Sequence, residues 1–161
     1  MALTSQQLQA LKADILADSL LNAKPNNSDG AFEIATAYNL TASPAFTVWK
    51  TLVSIKQIGD KFNGTELAGL TTANQTRLQT VALFSAEGVN PSLVDRRQFF
   101  DDIFSGVGGA TTRANLLVLW KRLATRAEKL FATGTGSDPS PATMTFEGNL
   151  SYQDVLTARN S

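Results

Sequence analysis

The 161-residue chain contains no cysteine and no histidine. Without cysteine there is no disulfide framework, no thiolate nucleophile and no zinc–thiolate site. Without histidine the commonest general base and metal ligand is missing, and with it a serine triad of the usual kind. Charge is scarce too. Asp, Glu, Lys and Arg make up 17% of the residues, against roughly 25% in an average domain. The two signs cancel, at fourteen each. The global basic excess that neutralises phosphate is therefore absent. No apolar run approaches the roughly twenty residues of a membrane span. The N-terminal MALTSQQLQALKADILADSLL has no basic stretch ahead of an apolar core, so it does not read as a secretory signal. These features lead us to expect a soluble protein that stays where it is made or assembled.

What is present is a folding composition, 43% apolar, in a chain long enough for one ordinary core. Thr, Ser, Asn and Gln fill much of the remaining surface. Uncharged hydroxyls and amides cost far less to bury than ions, which favours subunit contacts.

Helix signals dominate. Thr4 with Gln7 forms a T-x-x-Q capping box, and Leu8, Leu11, Ile15 and Leu16 recur at helical spacing, which predicts a helix to about Leu21. KPNNSDG reads as a turn, followed by a short helix with Phe32, Ala35 and Tyr38. SPAFTVWK reads as another helix, with Pro44 in the first position and Phe46 and Trp49 on one face. Ser54/Gln57 and Thr72/Gln75 repeat the capping-box pattern. Asn90–Pro91 opens a helix containing Phe100, Ile103 and Phe104. GVGGATT reads as a flexible joint. The longest predicted helix runs from Thr112 to about Thr133, with Leu116, Trp120, Leu123, Ala127, Leu130 and Phe131 as its apolar stripe.

GTGSDPSP cannot continue that helix. Beyond it Thr143, Met144, Thr145 and Phe146 alternate as a strand does, and Ser151 with Asp154 caps a short terminal helix. A lone strand needs a partner edge. That edge belongs either to this chain or to another subunit, which would make residues 143–146 a docking arm. The expected fold is mainly α: a single-domain bundle of about five to six helices. Residues 1–133 form the core, and residues 134–161 form an extended arm carrying one short strand.

No catalytic, cofactor-binding or metal-ligating residue stands out. GVGGA and GTGSD lack the lysine of a phosphate loop, and no G-x-S-x-G elbow occurs. Asp95, Asp101 and Asp102 read as solvated helix charges, and the aromatics at helical spacing read as core. One local cationic feature remains. Arg122, Arg126 and Lys129 recur four and three apart on the predicted long helix, as a basic stripe that reads as a solvated helix face or as one facing a channel, a partner subunit or nucleic acid.

Five segments are LKADILAD, PNNSDGAFEIATAYN, SPAFTVWKT, LATRAEKLFATGTGS and PATMTFEGNLSYQDV. Together they resemble a family of small proteins from the structural-gene region of tailed bacteriophages. They lie in the two ends of the chain, with little resemblance between Leu52 and Ala114. The resemblance carries no catalytic or binding residue. It implies a non-enzymatic virion protein, assembled in the host cytoplasm. The expected role is a head–tail connector or neck subunit in a homo-oligomeric ring of about twelve copies. Its expected partners are portal and tail proteins, with non-specific contact to packaged DNA, no cofactor and no membrane. The alternatives are a capsid decoration protein, a tail-tube or tail-completion protein, or a nucleic-acid-binding module built on the basic stripe.

Overall fold

Thr4 opens the first helix as its capping box requires: its hydroxyl accepts from the Gln7 N–H, and the Gln7 side chain closes on the Thr4 N–H. The computed structural model describes residues 3–161, and the chain is mainly α. In order it forms α1 (Ser5–Ala17), α2 (Ser19–Asn22), α3 (Ser28–Asn39), β1 (Thr47–Trp49), α4 (Ile55–Gly59), α5 (Gly64–Ala68), α6 (Thr72–Phe84) and α7 (Val94–Ile103). A 3₁₀ turn at Val107–Gly109 leads into α8 (Ala110–Trp120). β2 (Lys121–Leu123), α9 (Arg126–Phe131), β3 (Ala132–Thr133), β4 (Thr143–Met144) and α10 (Tyr152–Asn160) follow. The first helix is shorter than predicted, because Asp18 leaves helical geometry and caps α2, its carboxylate accepting from the Leu20 and Leu21 N–H groups.

The division at Gly134 is corrected by the structure. The chain forms two compact units, one taking it up to Val48 and again over Leu123–Ser161, the other Trp49–Arg122. The presumed arm belongs to the core of the first unit. Its Phe146, Leu150, Val155 and Ala158 are buried with Leu11 and Ile15 of α1, Ile34 and Tyr38 of α3, and Ala127 and Phe131 of α9. Each large apolar side chain so buried contributes about 1.5–3 kcal/mol.

Two helix readings are also corrected. SPAFTVWK is extended, with a cis Ser43–Pro44 peptide, and carries β1. The predicted Thr112–Thr133 helix is three elements. In a continuous helix the Trp120 carbonyl would accept from the Ala124 N–H. Instead Trp120 accepts from the Lys50 N–H at 2.8 Å, and Ala124 donates to the Phe46 carbonyl at 2.9 Å. The two residues flanking β1 thus take both groups, β1 pairs with β2, and the hydrogen bonds that would have carried the helix through are lost. Thr125 and Glu128 then form a fresh capping box that starts α9. The apolar stripe is split accordingly: Leu116 and Trp120 are core to the second unit, Ala127 and Phe131 to the first, and Leu123 is exposed.

In the second unit Val53, Ile58, Val89, Phe100, Leu116 and Trp120 form the core. Helix starts differ from the predicted ones by a few residues. Thr71, not Thr72, caps α6, and α7 begins at Val94 behind an uncapped Leu93. GVGGATT is ordered, since the Glu66 carboxylate caps α8, accepting from the Thr111 and Thr112 N–H groups at 2.9 and 2.7 Å. Desolvation pushes the Glu66 pKa up, but its hydrogen bonds with Thr112 and Thr111 outweigh this and bring it to about 2 from an ordinary 4.5. A lowered carboxylate pKa stabilises the fold above the ordinary value and loses that contribution as pH falls through the folded one. Acid titration of stability is therefore expected to show a loss between pH 4.5 and about 2 that Glu66→Gln diminishes. Identical acid profiles in the two proteins would show that the cap is not ionic.

Candidate functional site

The residues proposed as a basic stripe do not lie on one helix. Arg122 lies on β2 in the second unit, whereas Arg126 and Lys129 lie on α9 in the first. Arg126 stands in the first turn of α9, placed there by the Thr125–Glu128 box. Its Nη2 meets Asp14 Oδ2 at 2.9 Å and its Nη1 meets Asp18 Oδ2 at 2.9 Å. The guanidinium lies 4.6 Å from the centre of the Tyr38 ring. The Tyr38 hydroxyl donates to Asp14 Oδ2 at 2.5 Å, and the Arg126 N–H donates to the Leu40 carbonyl at 2.9 Å.

The electrostatics follow from this geometry. Its hydrogen bond to Arg126 is the leading cause that holds the Asp18 carboxyl below its usual range. Desolvation works against the charge of Arg126, but the bonds to Asp14 and Asp18 overcome it and leave the guanidinium more firmly protonated than usual. Burial, then the bond to Asp14, pushes the Tyr38 phenol up. Asp14, Arg126 and Lys129 line a groove of about 590 Å³ with Ala42, Ser43 and Leu130. Lys129 Nζ sits 5.7 Å over the Phe46 ring. Two carboxylates therefore answer the Arg126 guanidinium. This arrangement ties α1, α3 and α9 together and leaves little net field for phosphate. Asp14 and Asp18 escaped the sequence reading, and Tyr38 entered it only as a helix position. The available signal was the i,i+4 spacing of the two aspartates.

Breaking one side of such a cluster leaves charge unpaired. Arg126→Met is expected to lower the stability of the first unit by about 1–3 kcal/mol, less than a fully buried pair because solvent screens a side chain that is one-third exposed. Lys129→Gln is expected to stay within about 0.5 kcal/mol. Urea midpoints at equal slope measure both, and equal effects for the two would refute the cluster's role.

The candidate docking residues are seated on their own chain. Thr143 pairs with Thr133 and Met144 with Ala132, antiparallel. The Thr145 hydroxyl donates to the Phe131 carbonyl at 2.5 Å, and Phe146 stacks edge-on against Phe131 at 5.4 Å between centroids. The buried Glu128 carboxylate accepts from Gly148 N–H at 3.3 Å besides closing its own capping box. The Asn39 amide closes both ways on Leu150, accepting from its N–H at 2.8 Å and donating to its carbonyl at 2.9 Å. GTGSDPSP is pinned rather than loose. Thr47 donates to Gly136 O at 2.7 Å and accepts from Ala142 N–H at 2.9 Å.

In the second unit a cleft of about 620 Å³ is lined by Arg97, Asp101, Asp102, Arg113 and Trp120, among others. Its arginines serve the backbone. Arg97 donates to Pro91 O and lies 3.9 Å over the Trp49 ring; Arg113 donates to Phe104 O and, at 2.8 Å, to Gly106 O. Burial pushes the Asp101 carboxyl up. Among the described residues no group of three or more acidic side chains is placed to hold a metal ion, and no helix is long and apolar enough to cross a membrane. Comparison with protein-family models, with curated proteins and with solved structures returns no match.

Proposed function

We propose that this chain is a non-enzymatic structural subunit of a tailed-bacteriophage virion, a head–tail connector that works as a homo-oligomeric ring between portal and tail. The resemblance of its two ends to phage structural proteins supplies the context. The observation that carries the assembly part is the amount of large apolar side chain left uncovered in a chain whose charges are few. In the first unit Leu16, Leu20, Phe32 and Leu40 are 57–78% exposed. In the second, Leu83, Val107 and Val118 are 71–96% exposed. Scattered exposed leucines are ordinary, but this density in a domain of neutral net charge suits surfaces that are covered on assembly.

Under this reading the partners are other copies, the portal and tail proteins, and the location is the virion. Packaged DNA is a weaker candidate partner, because Arg126 is already answered by Asp14 and Asp18. The test is the copy number and position of the protein in intact particles by imaging. A single ring between portal and tail supports the connector. Density over the capsid or along the tail replaces it with the decoration or tail-protein reading, and absence from the particle refutes the virion role.

A further inference from the structure

The second unit carries both halves of a self-complementary contact. Val107 is 96% exposed, the most uncovered large apolar side chain among the described residues. It rides on Ser105–Ala110, a loop with three glycines and no charge. Gly106 turns the loop at φ +67°, and a Cβ added at Gly106 or Gly108 would meet nothing within 4 Å. The loop is not free to collapse. At its foot Gly109 is buried against the Phe104 carbonyl, and Glu66 holds the N–H groups of Thr111 and Thr112. A valine held clear of its own core on a neutral loop is a knob.

The matching recess lies between α4 and α6. It measures about 80 Å³ and is lined by Ile58, Phe62, Leu78, Val81 and Ala82 with almost no polar surface. Phe62, Leu78 and Ala82 also line a wider groove of about 370 Å³ that includes Gln75 and Gln79 but no charged residue. An apolar cavity of about 150 Å³ accepts a six-carbon benzene ring; a recess about half that size suits a branched three-carbon side chain. Knob and recess are both uncharged, so seating one in the other desolvates no ion. The three glycines let the loop backbone approach the groove closely.

We propose that Val107 of one copy of this chain seats in the Ile58–Phe62–Leu78–Ala82 recess of the next. The proposal rests on the homo-oligomer reading above and deepens it by naming the contact. Knob and recess are different surfaces, so the contact is heterologous, and copies add head to tail until rotation closes a ring.

Because the chain has no cysteine, two single-cysteine variants, Val107→Cys and Ala82→Cys, test the seat cleanly when mixed in equal amounts and oxidised. The expected product is the mixed disulfide, in clear excess over either same-variant dimer. Val107→Asp and, at the exposed lip, Ala82→Glu are each expected to weaken self-association about thirtyfold, as loss of a central contact does. Both sites are exposed, and circular dichroism of each variant checks that the fold is kept. A chain that assembles without the mixed disulfide, with both charged variants assembling as well as the parent, overturns this seat and leaves the ring reading standing. A chain that stays monomeric and forms no mixed disulfide also overturns the seat; copy number in the particle then decides the ring separately.

Discussion

Val155→Asp in the full chain is expected to unfold the first unit. Val155 is fully buried on α10, in the cluster that joins α1, α3, α9 and the tail. An unpaired carboxylate there costs several kcal/mol in desolvation, and the lost apolar burial adds about 1.5–3 kcal/mol. Together these rival the roughly 5–15 kcal/mol that holds a whole domain together. Hydrogen exchange reads the result. Amides at Leu11–Ile15 of α1 and Ile34–Tyr38 of α3 are expected to lose protection, although neither segment is mutated. If 134–161 were a separable docking arm, the same substitution would leave α1 and α3 protected. That outcome would restore the division at Gly134.

The second large effect lies in the other unit. Gly109→Ala would place its Cβ 2.1 Å from the Phe104 carbonyl oxygen and 2.3 Å from its carbon. Both obstacles are backbone, so no side-chain rotation relieves them. The chain on the far side is held as well, by the two N–H groups bonded to Glu66. Overpacking a well-filled site ordinarily costs about 1–3 kcal/mol, and a clash with the Phe104 backbone beside a pinned helix start is expected at or above the upper end. Gly108→Ala is the control, because nothing lies within 4 Å of its Cβ. It is expected to be neutral, or to stabilise by up to about 1 kcal/mol by restricting the unfolded chain. Chemical unfolding of the two variants side by side measures the difference. Equal midpoints would mean that the 105–110 loop shifts freely, and would also remove the rigid knob that Val107 requires.

The local signals in the sequence were reliable because the forces behind them are local. Capping boxes join residues three apart, and those of Thr4, Ser54 and Ser151 all form. The aromatic residues expected in the core are mostly there: Phe100, Phe104, Trp120 and Phe131 are buried, and Phe46, Trp49 and Phe99 are partly so. The alternation in 143–146 marks a real strand, although only Thr143–Met144 pairs. The Thr125–Glu128 box was equally local and equally readable. It was masked because the apolar stripe stays in phase from Leu116 to Phe131, so that two helices and a strand carry the pattern of one.

Sequence by itself therefore determined the mainly α character, the helix starts at Thr4, Ser54 and Ser151 and the exclusion of thiol and imidazole chemistry. Tertiary structure alone decided where the long helix breaks, what the tail pairs with and which carboxylates meet Arg126. Each of these turns on backbone groups or charges brought together across long stretches of chain: Phe46 with Ala124, Asn39 with Leu150, Asp14 with Arg126. Their energies depend on distance in space, which the spacing of residues along the chain does not encode.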